Sequence, residues 1–260
     1  MHFLLVCIVT GSLGQIVASQ EAIKNISLKA PEYILPCYRH DPDIDNCLEG
    51  TFNHLRPYLV NGLEEINVPA IDPLFIQRLI MENGHGPFKI KALFKNVTVK
   101  GPSNYTVGRI KSDLDNYILD VDLKLPEIEV SGKYEVGGTV LLFPIRSAGD
   151  FWAAFSDVNA TAKIYGKEVV NKEGLKFMRI EKLNIDFDLD KSKFKIRDLI
   201  NLGNLLGAAI NQFLNTNGHE IIAEMKPAAS RSISAHFKSF LNAAFLKVPL
   251  QVWLPDTQPS

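Results

Sequence analysis

Cysteine is scarce in this chain, with three residues in 260, at Cys7, Cys37 and Cys47. A protein of this length can build its core without metals or many disulfides. An excess of charge of either sign is also lacking: 28 Lys and Arg face 29 Asp and Glu, for a formal net charge of −1. No run of five or more like charges occurs, which removes the electrostatic case for nucleic acid and for acidic or basic tails. Beyond the first segment no stretch of about 18 apolar residues appears, so a membrane-spanning helix is not expected.

Catalytic and metal signatures are missing too. None of the histidines at positions 2, 40, 54, 85, 219 and 236 falls in a zinc spacing. Asp41, Asp43 and Asp45 begin like a calcium loop, but Asn46 replaces the required glycine and Phe52 occupies the twelfth position. There is no Gly-x-Ser-x-Gly elbow and no phosphate-binding loop. The expectation is a protein without catalytic residues, bound metal or cofactor.

The first 19 residues, MHFLLVCIVTGSLGQIVAS, are apolar from Phe3 to Val9, contain no Asp, Glu, Lys or Arg, and end in small residues. They read as a signal peptide, with residues 20–260 as one secreted domain. Removal of that segment takes Cys7 and leaves Cys37 and Cys47, an even pair expected to form one bridge in an oxidising compartment. Sequons at Asn25, Asn96, Asn104 and Asn159 are candidate glycosylation sites.

Periodicity divides the rest. From Asp43 to Glu65 an apolar stripe of Leu48, Phe52, Leu55, Leu59 and Leu63 predicts a helix bent at Pro57. A short helical piece is expected from Leu74 to Met81. Two-residue alternation then predicts strands at Phe88–Lys100, Val107–Asp115, Tyr117–Leu125, Ile128–Val136, Thr139–Ile145, Phe151–Tyr165 and Phe177–Leu189, forming an antiparallel meander with one wet and one dry face. Asp186, Asp188 and Asp190 share the wet face of the last. From Asp198 to Glu220 the only ionisable side chain between the two acids is His219, which predicts a helix inside the core. From His219 to Phe245 a second helix carries one stripe, Ile222, Met225, Ala229, Ile233, Phe237, Phe240 and Ala244, with a kink or break at Pro227. Val248 to Pro255 reads as a short strand or extended arm. A long twisted sheet must curl, and its apolar face must cover the helices.

In this order the motifs resemble the insect takeout and juvenile-hormone-binding protein family. The Cys37–Cys47 segment begins the set, followed by Val68-Pro-Ala-Ile-Asp-Pro73, Phe94-Lys-Asn96-Val-Thr-Val-Lys-Gly101, Leu125-Pro126-Glu-Ile-Glu-Val-Ser-Gly132-Lys-Tyr134 and Gly138-Thr-Val-Leu-Leu-Phe-Pro144. Asn211-Gln-Phe-Leu-Asn215-Thr-Asn217 and Glu224-Met-Lys-Pro227 complete it. The resemblance implies an α+β fold in which a long, highly curved antiparallel sheet wraps a long C-terminal helix and encloses a hydrophobic tunnel. It also implies a secreted carrier of juvenile hormone or another terpenoid or fatty-acid-like molecule, in haemolymph or sensory tissue, linked to circadian, feeding or mating behaviour. The hormone-binding proteins proper carry a second, later disulfide. No cysteine follows Cys47 here, which favours the takeout branch.

For such a carrier, Tyr134 and His236 are the candidate polar groups of the ligand site. Val136, Phe155, Phe213, Met225, Ile233, Phe237 and Phe240 are the candidate walls, and each reads equally well as core. The expected state is a monomer. A different reading stays open: a secreted signalling protein that acts through its surface on a cell-surface receptor, with the tunnel incidental. A lipid-surface module is disfavoured by the near-neutral charge.

Overall fold

In the computed structural model, which describes residues 30–140, 142–198 and 204–257, the alternating segments form one seven-stranded antiparallel sheet. The strands are β1 (Leu74–Asn83), β2 (Phe88–Lys100), β3 (Thr106–Asp113), β4 (Ile118–Val140), β5 (Phe143–Val170), β6 (Lys176–Asp188) and β7 (Lys191–Asp198). The expected leader, Asn25, Cys7, Leu199 and Leu202 lie outside the described residues. Helix α1 (Ile44–Leu59) precedes the sheet; α2 (Asn204–Thr216), α3 (Gly218–Phe245) and the short α4 (Leu250–Trp253) follow it.

β4 and β5, with 23 and 28 residues, pair from Ile118–Tyr165 to Val140–Phe143 and form the spine. Against β4, β3 pairs the first half and β2 the second; against β5, β7 pairs residues 149–156 and β6 residues 159–170. The main path is therefore β1-β2-β4-β5-β6. Its outer strands would lie roughly 19 Å apart in a flat sheet, at about 4.8 Å per step. Yet the single helix α3, about 10 Å across, packs on both β1 and β6, and touches β7 as well. Because neighbouring positions of α3 reach both edges, Ser232 to Ile80 of β1 and Ser234 to Ile185 of β6, the sheet curls around the helix.

Among the described residues β1, β3, β6 and β7 each pair on one side only, and helix side chains bond part of the open edge of each. On β3, Asn53 donates its Nδ2 to the Val107 carbonyl at 3.0 Å and accepts the Val107 N–H at 2.9 Å. On β6, Asn242 does the same to Ile180, at 3.0 and 2.8 Å, and Ser234 accepts the Ile185 N–H at 2.9 Å. On β7, Asn211 brackets Ile196 and Asn215 brackets Phe194. On β1, Arg231 donates to the Glu82 carbonyl and Ser232 to that of Ile80. A primary amide presents the same donor and acceptor as a peptide group, so an asparagine stands in for the missing strand and blocks edge-to-edge association. Asn242→Ala leaves the Ile180 amide without its partner and should lower unfolding stability by about 2 kcal/mol, measured by urea denaturation.

Several expectations need correction. Leu74–Met81 is not helical but lies in β1. Its burial alternates, breaks at Gln77 and Arg78, and resumes at Leu79, opposite an irregularity at Lys95–Thr98 in β2 where Asn96 takes φ 50°. That three-residue step from Ile76 to Leu79 imitates helical spacing. The strand expected at Thr139–Ile145 is instead the end of the β4–β5 hairpin, with Val140 paired to Phe143; no Gly, Asn or Asp marks the turn. Tyr117–Leu125 and Ile128–Val136 are one strand, because Pro126 interrupts a single pair and Asp157 opposite takes φ 54°.

The first helix ends at Leu59, not Glu65. Gly62 turns the chain at φ 83°, and a Cβ there would stand 2.6 Å from the Val68 carbonyl. α2 is peripheral rather than interior: Phe213 is 45% exposed, and the asparagines of this uncharged helix serve the edge of β7. Pro227 lies within α3 without breaking it. The C-terminal arm is the helix α4, with Leu250, Val252 and Trp253 buried.

Candidate functional site

The inner face of the curled sheet is apolar along its length but unevenly filled. Toward the β3–β4 turn, Leu119, Val121, Ile164, Met178, Ile180 and Leu183 are buried with Leu48, Leu250 and Trp253. Toward the β4–β5 hairpin the packed centre is smaller, Leu74, Ile76 and Val97, and it is ringed by half-buried Leu79, Phe94, Val99, Val130 and Phe151. Phe237 of α3 packs against both clusters. Aromatic rings concentrate here: Phe94 meets Phe151 edge to face at 5.1 Å, and Phe155 meets Phe194 at 5.9 Å. On the helix His236, Phe237 and Phe240 form a chain of ring contacts at 5.7 and 6.0 Å. These rings sit inside a wrapped sheet yet keep accessible surface, as walls of an apolar site do and a close-packed core does not.

The polar groups follow the same geography. Tyr134, 6% exposed on β4, places its hydroxyl 2.7 Å from the Ser147 hydroxyl on β5. The two meet because Val136 pairs with Ser147 and Tyr134 with Gly149, so both side chains stand on one face of neighbouring strands. Burial holds the His236 imidazole below its ordinary value, so a neutral ring faces the aromatic stack.

Of the candidate residues, the structure places Tyr134, Val136 and Phe155 on the inner face of the sheet. Met225, Ile233, His236, Phe237 and Phe240 are half-buried along α3. Phe213 stands apart on the outer helix. Phe94, Phe151, Phe194 and Ser147 were not foreseen. Phe94 and Phe151 lie on alternating strands, but the irregularity at Lys95–Thr98 exchanges the faces of β2, so parity counted from either end assigns one half wrongly.

Other features are accounted for without chemistry. A cleft of about 440 Å3 on the outer face is lined by Arg109, Lys111, Asp120, Asp122, Lys163 and Asp186, among others. Its charges neutralise one another, with Arg109 to Asp122 at 2.7 Å and Lys163 to Asp120 at 3.3 Å. Asp186 and Asp188 hold Lys226 at 3.1 and 2.8 Å. Asp45 accepts from the Ser112 N–H and hydroxyl, tying α1 to β3. Cys37 and Cys47 are bonded, with their Cα atoms 5.8 Å apart. No helix among the described residues is long and apolar enough to cross a membrane.

Comparison with known proteins agrees with this architecture. The circadian clock-controlled protein daywake of Drosophila melanogaster is 25% identical over 216 residues, 79% of this chain and 82% of that protein. The Drosophila yakuba protein of the same name is 21% identical over the same length. The crystal structure of Epiphyas postvittana Takeout 1 superposes with a TM-score of 0.70 at 23% identity, covering 84% of this chain and 98% of that one, and so shares the fold. The family model described as haemolymph juvenile hormone binding protein (JHBP) matches residues 7–255; the chain belongs to that family.

Proposed function

We propose that this protein is a secreted carrier that holds one elongated apolar molecule between α3 and the inner face of β2, β4, β5 and β7. The observation that carries the reading is the ring of half-buried aromatics, Phe94, Phe151, Phe155, Phe194 and Phe237, on a face that the curled sheet encloses. Family membership supports it. Removing about 400 Å2 of ligand surface from water supplies roughly 10 kcal/mol gross at about 25 cal/mol per Å2. Losses of freedom on binding reduce that to a micromolar-to-nanomolar affinity. The Tyr134–Ser147 hydroxyl pair and the neutral His236 are the polar anchors, which suits a terpenoid or fatty-acid-like ligand such as juvenile hormone, mostly hydrocarbon with one polar end. Met225, with its unbranched side chain, adapts the wall to the ligand. Val136, Ile233 and Phe240 complete that wall.

Secretion is supported by the leader-like first 19 residues, by the Cys37–Cys47 bridge and by exposed sequon asparagines at 96, 104 and 159. A role in circadian, feeding or mating behaviour is proposed from the resemblance to daywake and takeout, and a monomer is the proposed state. The test is solvent extraction of the protein purified from a secreting eukaryotic host, followed by mass spectrometry and titration with a fluorescent fatty-acid probe. A stoichiometric apolar compound and saturable probe binding are expected. Their joint absence in repeated preparations overturns the reading.

The lowered His236 pKa carries a stability consequence. The unfolded chain takes up the proton near pH 6.5 and the folded chain at a lower pH, so between the two the unfolded state binds more protons. The His236 contribution is therefore intact above the unfolded value and is lost as pH falls below it. In thermal melts between pH 7.5 and 5, His236→Phe should show a shallower loss of stability than the parent; identical slopes would contradict the assignment.

A further inference from the structure

The β4–β5 hairpin ends the sheet at the opposite pole from the β3–β4 turn. Leu142 at its tip is 89% exposed, the most exposed large apolar side chain among the described residues. From Val136 to Ile145 the sequence contains no Asp, Glu, Lys or Arg. Such a run at a free tip is unusual on a soluble protein, where large exposed apolar groups mark contact surfaces.

Behind the tip stands a set of cations. Lys89 pairs across the sheet with Thr139, and that residue with Pro144; Lys91 pairs with Gly137, and that residue with Arg146. Directly paired residues share a face, so Lys89, Lys91 and Arg146 all point to the outer side of the hairpin end. Lys91 is held by Glu82 at 3.2 Å. Lys89 and Arg146 are exposed and have no acidic partner among the described residues. Gly137 between Lys91 and Arg146 has no side chain, and a Cβ there would meet nothing within 4 Å, so the gap between the two cations is open.

We propose that this hairpin end docks the protein on anionic phospholipid bilayers, with Leu142 entering the headgroup–acyl boundary and Lys89 and Arg146 meeting lipid phosphates. Apolar insertion combined with nearby cations is the physical basis of reversible interfacial binding. The near-neutral overall charge of −1 disfavours attraction of the molecule as a whole to a lipid surface, so the attraction is confined to this hairpin end. Several other outer-face charges of β2 to β5 are cross-paired, as in Lys95–Glu135, Lys133–Asp150 and Arg109–Asp122, and screening over about 8 Å leaves the local patch in control. The inference rests on the carrier reading: docking lets the ligand pass between bilayer and inner face without crossing water.

The full chain is sedimented with vesicles of phosphatidylcholine alone and of phosphatidylcholine with roughly 30% phosphatidylserine, the anionic lipid that attracts cations. Stronger binding to the anionic vesicles is expected. Leu142→Asp should lower the partition coefficient about tenfold, and Lys89→Glu or Arg146→Glu by about tenfold each. Lys193→Glu, on β7 away from the tip, should change it far less. Affinity for the fluorescent fatty-acid probe, measured without vesicles, should be the same in all of them. Absence of sedimentation, or equal sedimentation of parent and Leu142→Asp, overturns docking while an intact probe titration leaves the carrier reading standing. Failure of the parent to bind the probe removes the carrier reading instead. A dimer in vesicle-free ultracentrifugation that Leu142→Asp dissociates would assign the tip to self-association and also overturn docking.

Discussion

Replacing both Cys37 and Cys47 by alanine is expected to lower unfolding stability by about 3 kcal/mol, the loop-entropy value for so short a ring, and to free both ends of the described chain together. The first effect comes from the unfolded state, which regains the conformations the bridge forbids. The second comes from what the bridge holds. The Cys37 N–H donates to the Trp253 carbonyl at 3.0 Å and the Arg39 N–H to the Pro255 carbonyl at 2.9 Å, so the N-terminal arm and the C-terminal tail pair like two short strands. Arg39 extends the clasp: its guanidinium donates to the Leu114 carbonyl at 3.0 Å, lies 5.2 Å over the Tyr117 ring and meets Asp256 at 3.4 Å. Cys37 itself is completely buried in the larger cluster with Leu48 and Trp253. Hydrogen exchange should therefore report faster opening in both 33–41 and 250–256 of the double variant, with β4 and β5 little changed. Opening confined to the N-terminal arm would show that the clasp does not couple the two ends. Denaturation under reducing conditions should give the parent the stability of the variant.

The parts of this fold that were legible in the sequence are those fixed by local period. The helix Gly218–Phe245 shows a stripe from Ile222 to Ala244, and β6 an unbroken alternation from Leu183 to Phe187. Burial of one face is enough to specify such elements. What stayed hidden depends on pairing across the chain. Ile76 and Leu79 share a face only because β2 makes its irregular step at Asn96, and nothing within Leu74–Met81 records that. The hairpin at Leu142 carries no turn residue; its position follows from Val140 meeting Phe143 in register. Likewise the scarcity of charge between Asp198 and Glu220 reads as an interior helix, whereas Asn211 and Asn215 of α2 serve the backbone of β7, which nothing within that segment records. The candidate site divides in the same manner. Tyr134 and the stripe of α3 could be placed by counting. Phe94, Phe151 and Phe194 could not, since Phe94 and Phe151 meet across 57 positions of sequence.

Phe237→Ala follows from that geometry as a change with two readouts. Phe237 packs on the filled cluster under β6 and on the sparser one under β1 and β2, and its ring touches His236 and Phe240. Truncation removes the contact through which the two halves of the inner face share one helix. The ring is half-buried, so the stability loss should fall near the lower end of the range for aromatic truncation, about 3 kcal/mol, measured by urea denaturation. If the space beside the rings is a binding site, the second readout moves as well: the fluorescent fatty-acid probe should bind at least about tenfold more weakly, because the ring supplies part of the apolar surface that excludes water from the ligand. Phe245→Ala separates the two effects. That ring lies against Trp253 at 5.4 Å in the filled cluster, so it should cost comparable stability and leave probe affinity unchanged. Equal weakening by both substitutions would mean that binding tracks global stability. Weakening by Phe237→Ala alone would locate the ligand where the sheet has curled but its side chains have not closed the space.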